Sequence, residues 1–195
     1  KNVLIFPAGS EVGFELNRSL KLSRHIKIWG GSSVDDSAMF RFENYIGGFP
    51  FIDDESFIPY LLNIIAEYEI DVIYPAMDRV IAILKENERS IGCKIITSSL
   101  STVDVCFSKD KTYRTLKSSI LTPQIFNCPE DVKYFPIFMK PNQGYGSRGA
   151  KLITSIDEMN VQLKEVPESI ILEYLPGEEY TIDCFFYKIF TVINR

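Results

Sequence analysis

The 195-residue chain is long enough for one large domain or one and a half ordinary ones, and 46% hydrophobic with 13% aromatic residues is ample for a packed core. A formal net charge of −5 excludes general nucleic-acid binding, because no basic surplus exists to neutralise phosphates; a local basic site for a small anion stays open. Cys93, Cys106, Cys128 and Cys184 form no C-x-x-C pair and His25 is the only histidine, which excludes ordinary zinc ligation (no protein metal ligand is assigned) and most histidine-dependent catalysis within this chain.

In chain order, Asn2-Val3-Leu4-Ile5-Phe6 reads as a first strand, and Pro7-Ala8-Gly9-Ser10 as a turn. Residues 11–24 read as a helix with apolar positions at Val12, Leu16, Leu20 and Leu22, the opening of a Rossmann-like unit. Ile26-Lys27-Ile28-Trp29 is a second strand. Residues 32–54 are irregular and aromatic-rich, with one short edge element expected. Residues 57–68 form a helix, Ile70-Asp71-Val72-Ile73-Tyr74 a strand, residues 80–90 a helix and Cys93-Lys94-Ile95-Ile96 a strand. Strands alternating with helices at this spacing predict a parallel sheet covered on both faces.

Near residues 100–110 the character changes. A polar turn leads to a short helix and then to Ser108-Lys109-Asp110-Lys111, and after Pro123 the strands become aromatic and hairpin-like. The expected division is a Rossmann-like domain at 1–105 and an α+β domain with antiparallel strands at 106–195. Reduced thiols fit a cytoplasmic protein. No apolar run is long enough to span a bilayer.

The second part carries the chemistry. Gly144, Gly146 and Gly149 spell G-x-G-x-x-G, a weak nucleotide signal when alone. A dinucleotide fingerprint needs a helix directly after its glycines. Here Ala150-Lys151-Leu152-Ile153 follows and reads as a strand, and a helix starts only later, with Ser155 and Glu158 placed as a capping box. The glycines are therefore expected at a β-hairpin tip, free to aim backbone N–H groups at a polyphosphate. Ser147 adds a hydroxyl and Arg148 a guanidinium suited to phosphate oxygens. Lys140 closes the apolar run Ile137-Phe138-Met139, so its ammonium should reach a cleft rather than the core. No Gly-Lys-Ser/Thr follows the glycines, which excludes a Walker A loop.

Together with Ser108-Lys109-Asp110-Lys111-Thr112 and Glu173-Tyr174-Leu175-Pro176-Gly177-Glu178-Glu179-Tyr180-Thr181, these segments resemble the ATP-grasp superfamily, nearest in flavour to its carbamoyl-phosphate-synthase-like ligases. The resemblance covers nearly the whole chain: a Rossmann-like substrate domain, then the first ATP-grasp subdomain. It implies that Lys111, Lys140, Gly144, Gly146, Ser147 and Gly149 bind ATP phosphates and that Arg148 supports the reacting phosphoryl group. It also implies that backbone groups around Glu173 and Leu175 meet adenine, and that Glu179 takes the ribose hydroxyls. The implied reaction joins a small-molecule carboxylate to an amine or ammonia through an acyl phosphate, using ATP and Mg2+. The family's metal ligands lie on a second lobe, which is expected to be absent from this chain, leaving it inactive by itself.

Residues Gly9, Ser10, Glu11 and Asp78 lie at strand C-termini, where open α/β sheets bind ligands, although turn and capping roles explain them equally well. Exposed aromatic runs from Phe40 to Phe51 are a candidate homodimer interface. Two other readings stay open: a non-catalytic nucleotide-binding module or one piece of a split enzyme, and a dinucleotide oxidoreductase. Pro7-Ala8-Gly9-Ser10-Glu11-Val12-Gly13 argues against the last, because it lacks the three-glycine spacing.

Overall fold

The computed structural model describes the chain except Tyr145, Thr181, Lys188, Ile189 and Arg195, with side chains described as far as Ile182. Five strands, β1 (Asn2–Phe6), β2 (Lys27–Gly31), β3 (Asn44–Ile46), β4 (Val72–Pro75) and β5 (Lys94–Ile95), pair in parallel in the order β3-β2-β1-β4-β5. The chain runs outward from β1 in one direction and returns to its other side at β4. The topological switch therefore lies between β1 and β4, with the turns after both strands at its C-terminal end.

Alternation along β1 shows why both faces are covered. Leu4 and Phe6 enter one apolar cluster with Ile73, Ile95, Phe57, Leu61 and Leu84, while Val3 and Ile5 enter a second with Ile28, Ala8, Phe42 and Ala76. Helices α1 (Glu11–Leu20), α2 (Phe57–Glu67), α3 (Asp78–Glu86) and α4 (Glu88–Ile91) supply the cover. The helix expected to reach residue 24 stops at Leu20, and Leu22 stands 86% exposed in the following turn. The helix expected at 80–90 begins at Asp78 and breaks at Asn87, whose side-chain amide bonds the Ile83 carbonyl at 2.9 Å. An asparagine offering its own backbone bond competes with helix continuation.

The aromatic run is not a uniformly exposed surface. Phe42 and Phe49 are core residues, Phe49 packing 4.8 Å from the Phe6 ring, and only Phe40 and Phe51 stand out at 83% and 66% exposure. The short parallel strand β3 is the edge element expected in this stretch.

The chain divides into two compact units, Lys1–Thr115 and Leu116–Arg195. The first keeps α5 (Leu100–Phe107), which packs on α3, and nearly all of α6 (Lys109–Leu116). In the second, β6 (Ile125–Phe126), β7 (Ile137–Pro141), β8 (Lys151–Ile153) and β9 (Ser169–Glu173) form an antiparallel sheet ordered β6-β9-β7-β8. Helix α7 (Ile156–Glu165) follows β8, and β10 (Asp183–Tyr187) and β11 (Phe190–Asn194) form a separate antiparallel pair. The strand expected from Ile189 begins among the described residues at Phe190. The α/β class, a parallel sheet followed by a separate antiparallel one, is as the sequence pattern predicts.

The antiparallel sheet has two unlike faces. Ile137, Met139, Ile153 and Ile171 share one face and pack with Met159 of α7. Register puts Phe138, Lys140, Leu152, Ile170 and Leu172 on the other.

Candidate functional site

Lys140 stands one residue beyond the buried Met139 and opposite Ile170. The pleat sends it to the face away from α7, and it is half-buried there. A lysine can lay its methylene stem along apolar neighbours such as Ile170 and still present its ammonium at the rim. Directly after it, residues 142–150 connect β7 to β8, so the glycine run is a hairpin connection, with no helix after it. Tyr145 within this run lies outside the described residues.

The connection is rich in left-handed backbone. Gly144 has φ 127°, Gly146 64°, Ser147 55° and Gly149 73°. A side chain at φ near +55° costs about 1–2 kcal/mol, so Ser147 stores strain that glycine at this position would avoid. Turns that combine αL residues gather backbone N–H groups into anion-binding concavities. Ser147 and Arg148 are exposed at this tip. The base of the loop is fixed at both ends. Asn142 N–H donates to the Glu168 carbonyl at 2.9 Å, and the amide of Gln162 donates to the Gly149 carbonyl at 2.9 Å. A Cβ added at Gly149 would lie 3.0 Å from Pro141 Cγ, so the loop closes tightly over the end of β7.

The acidic segment follows β9. Glu173, half-buried, ends the strand, and its N–H donates to the Gln124 carbonyl at 2.9 Å. Leu175 is 60% exposed, and Glu178 and Glu179 are exposed after it. The Tyr180 hydroxyl donates to the Glu178 carboxylate, which pushes the phenol above its ordinary range. Thr181, at the end of this motif, lies outside the described residues. Lys140, the glycine connection and the start of the acidic segment thus belong to one unit, on strands β7 and β9 that pair along their whole length.

Lys111 belongs to the other unit. It lies in the first turn of α6, where the buried Ser108 hydroxyl accepts its backbone N–H at 3.3 Å. Its ammonium meets Asp104 of α5 at 2.5 Å, with both side chains about half exposed. A pair so exposed contributes about 0–1 kcal/mol, which leaves the ammonium available to a better anion.

Of the first unit's candidates, Ser10 caps α1, accepting the Gly13 N–H at 2.9 Å and donating to the Pro7 carbonyl at 2.9 Å. Gly9 is confined by the carboxylate of Asp36, which an added Cβ would meet at 1.9 Å. That aspartate was not visible as a structural partner in the sequence, because its contact depends on how β2 and the following loop return to β1. Asp78 is exposed and lines a cleft of about 140 Å3 with Ile81, Thr97, Ser98, Thr102, Val103, Cys106 and Phe107. Among the described residues no three His, Cys, Asp or Glu side chains converge to hold a metal ion, so no step is assigned to a metal here. No helix among them is long and apolar enough to cross a membrane.

This pairing of architectures defines a class. The curated ligase and the solved structures described next belong to the ATP-grasp superfamily, and at the level of that superfamily the resemblance is borne out. No family model matches. A D-alanine–D-alanine ligase of Fusobacterium nucleatum is 30% identical over 93 residues, which is 47% of this chain and 32% of the relative. An L-amino acid ligase from Bacillus licheniformis superposes with a TM-score of 0.71 at 16% identity, over 99% of this chain and 49% of that one. The biotin carboxylase domain of a Hydrogenobacter thermophilus 2-oxoglutarate carboxylase gives 0.69 at 16% identity, over 90% and 44%; it was crystallised as a dimer with MgADP, ADP and bicarbonate. The matched stretch spans about a third of that curated relative and the chain about half of these structural neighbours.

Proposed function

We propose that this chain provides the phosphate- and adenine-binding side of an ATP-dependent carboxylate–amine ligase. The observation that carries the proposal is the β7–β8 hairpin, with Gly144, Gly146, Ser147 and Gly149 at positive φ directly after Lys140. The ligase relatives support the class. In this reading the hairpin's backbone N–H groups and Lys140 hold the triphosphate. Arg148 neutralises charge on the transferred phosphoryl group. The chain segment from Glu173 to Leu175 meets the adenine edge, and Glu179 takes the ribose hydroxyls.

ATP phosphorylates a small-molecule carboxylate in this mechanism, and an amine or ammonia attacks the acyl phosphate and releases phosphate. The protein's contribution is positioning and charge neutralisation, as in phosphoryl transfers generally. Mg2+ would supply charge neutralisation at the phosphates; among the described residues no group of three His, Cys, Asp or Glu side chains converges to hold it. Lys111 is a further phosphate ligand in this reading, after exchanging Asp104 for phosphate. The carbamoyl-phosphate-synthase-like subtype, a division at 105/106, a homodimer and a cytoplasmic location belong to the same proposal.

The test is equilibrium binding of ATP to the full-length protein and to Lys140→Ala. A loss of tenfold or more, about 1.4 kcal/mol, is expected, with unchanged thermal stability. Unaltered affinity would overturn the assignment. Phosphate release that depends on an added carboxylate and amine separates a ligase from a nucleotide-binding module without catalysis.

A further inference from the structure

Helix α7 contains an anomaly. Its sequence, Ile156-Asp157-Glu158-Met159-Asn160-Val161-Gln162-Leu163-Lys164-Glu165, offers apolar side chains on either side of Gln162, yet Gln162 is buried at 3% exposure, while Val161 is 48% exposed and Leu163 is half-buried against the same core. With Met159 one turn earlier, Gln162 takes a position on the face that packs against β8 and the core of the second unit. Burying an amide there is unfavourable unless it is hydrogen-bonded. Its Nε2 donates at 2.9 Å to the carbonyl of Gly149, the last glycine of the hairpin connection.

We infer that Gln162 is a positioning residue: it ties α7 to the base of the glycine hairpin and sets the pose in which that hairpin meets the nucleotide's phosphates. The inference rests on the function proposed above. Three constraints converge on one point. Gly149 is left-handed, its α-carbon approaches Pro141 closely enough that a Cβ would crowd it, and its carbonyl is held by Gln162. Pro141 follows Lys140 directly on β7. The Gln162 bond therefore fixes the orientation of the Gly149–Ala150 peptide, and with it the end of the segment bearing Ser147 and Arg148, relative to the strand that carries Lys140. Within the connection, the Ala150 N–H also donates to the Ser147 carbonyl at 3.1 Å. A core-anchored donor at the base of such a loop lowers the entropy that phosphate binding must overcome.

The experiment compares ATP and adenosine binding in the full-length protein, Gln162→Met and Gln162→Glu. Methionine keeps length and fills the space without a donor; glutamate donates only when protonated. The expected result for Gln162→Met is ATP affinity about tenfold weaker, the scale of one lost hydrogen bond of ordinary strength, with adenosine affinity unchanged. For Gln162→Glu, ATP affinity relative to wild type should be weak at pH 8 and recover towards pH 5, as the buried acid regains a proton to donate. Equal weakening of ATP and adenosine by either variant would show a merely structural role and overturn the inference. So would wild-type ATP affinity in Gln162→Met, or a glutamate variant with no pH-dependent recovery, which remains readable if the methionine variant does not fold. Arg148→Ala and Lys140→Ala separate the two levels. If both lose ATP binding while Gln162→Met keeps it, the inference fails and the proposed function stands. If neither loses it, the proposed function fails and the inference falls with it.

Discussion

The two units bury their sheets in different ways. In the first, alternate residues of β1 enter two separate cores, Leu4 and Phe6 on one face, Val3 and Ile5 on the other, as a parallel sheet requires. In the second, Ile137, Met139, Ile153 and Ile171 face α7, while the opposite face places Lys140 among Phe138, Leu152, Ile170 and Leu172. Lys140 stands near the end of β7, where its stem can lie along apolar neighbours while its ammonium reaches the rim of that face. The difference teaches where binding chemistry has room: at strand ends in the first unit, and across a sheet face and its hairpin in the second.

The largest effects should come from the inner faces. Ile5→Ala or Ile137→Ala, each at a fully buried position, should cost about 2–5 kcal/mol. Leu152→Ala, with its side chain 40% exposed on the Lys140 face, should cost well below that. Chemical denaturation of the three variants checks the contrast, and an equal loss for Leu152→Ala would mean that the two faces are equivalent.

Next in size are the glycines. Gly149→Ala combines φ 73° with crowding against Pro141, whereas Gly146→Ala meets only the backbone penalty, nothing lying within 4 Å. Both should destabilise by about 1–2 kcal/mol from the left-handed conformation alone, with Gly149→Ala the worse, as thermal melting would show. Helix caps come third. Ser10→Ala and Ser155→Ala each remove a side-chain acceptor from a helix start, worth about 1 kcal/mol in either unit. Unequal losses would single out one unit as locally less stable.

The smallest effect is on pH dependence. Glu158 accepts the Thr154 N–H at 2.7 Å and its hydroxyl at 3.0 Å, and these bonds hold its carboxyl below the ordinary 4.5. Asp71 is likewise held below 3.8, first by the Lys1 ammonium and then by the Asn2 N–H. A lowered folded value means stability fully present above the ordinary value and lost as pH falls through the folded one. Glu158→Gln should therefore flatten the acid limb of stability below pH about 4.5, and Asp71→Asn should do so slightly lower. Salt should weaken the Asp71 contribution more, because its partner is a charge.

Much of this was legible along the chain. The period of apolar residues gave the strand–helix alternation, and a strand after the glycines, where a dinucleotide site needs a helix, marked Gly144 to Gly149 as a hairpin. The Ser155–Glu158 spacing marked a helix start, and it forms, although the Glu158 carboxylate reaches the Thr154 N–H. Other features were invisible because they depend on distant segments. Phe42 and Phe49 looked like surface aromatics until the loop around β3 folded them into two cores. The carboxylate of Asp36 against Gly9 and the Lys111–Asp104 pair likewise need the fold to bring them together.

Sequence by itself determined the two sheets, the hairpin character of the glycine run and the placement of Lys140 at a strand end, because these follow from local periodicity and backbone freedom. Only tertiary structure decided that Gln162 would be buried more deeply than Leu163 beside it. The helix period puts both on the Met159 side, three and four positions on, and the rotation of α7 is set by Met159 packing on β7 and β8 and by the carbonyl that Gly149 presents.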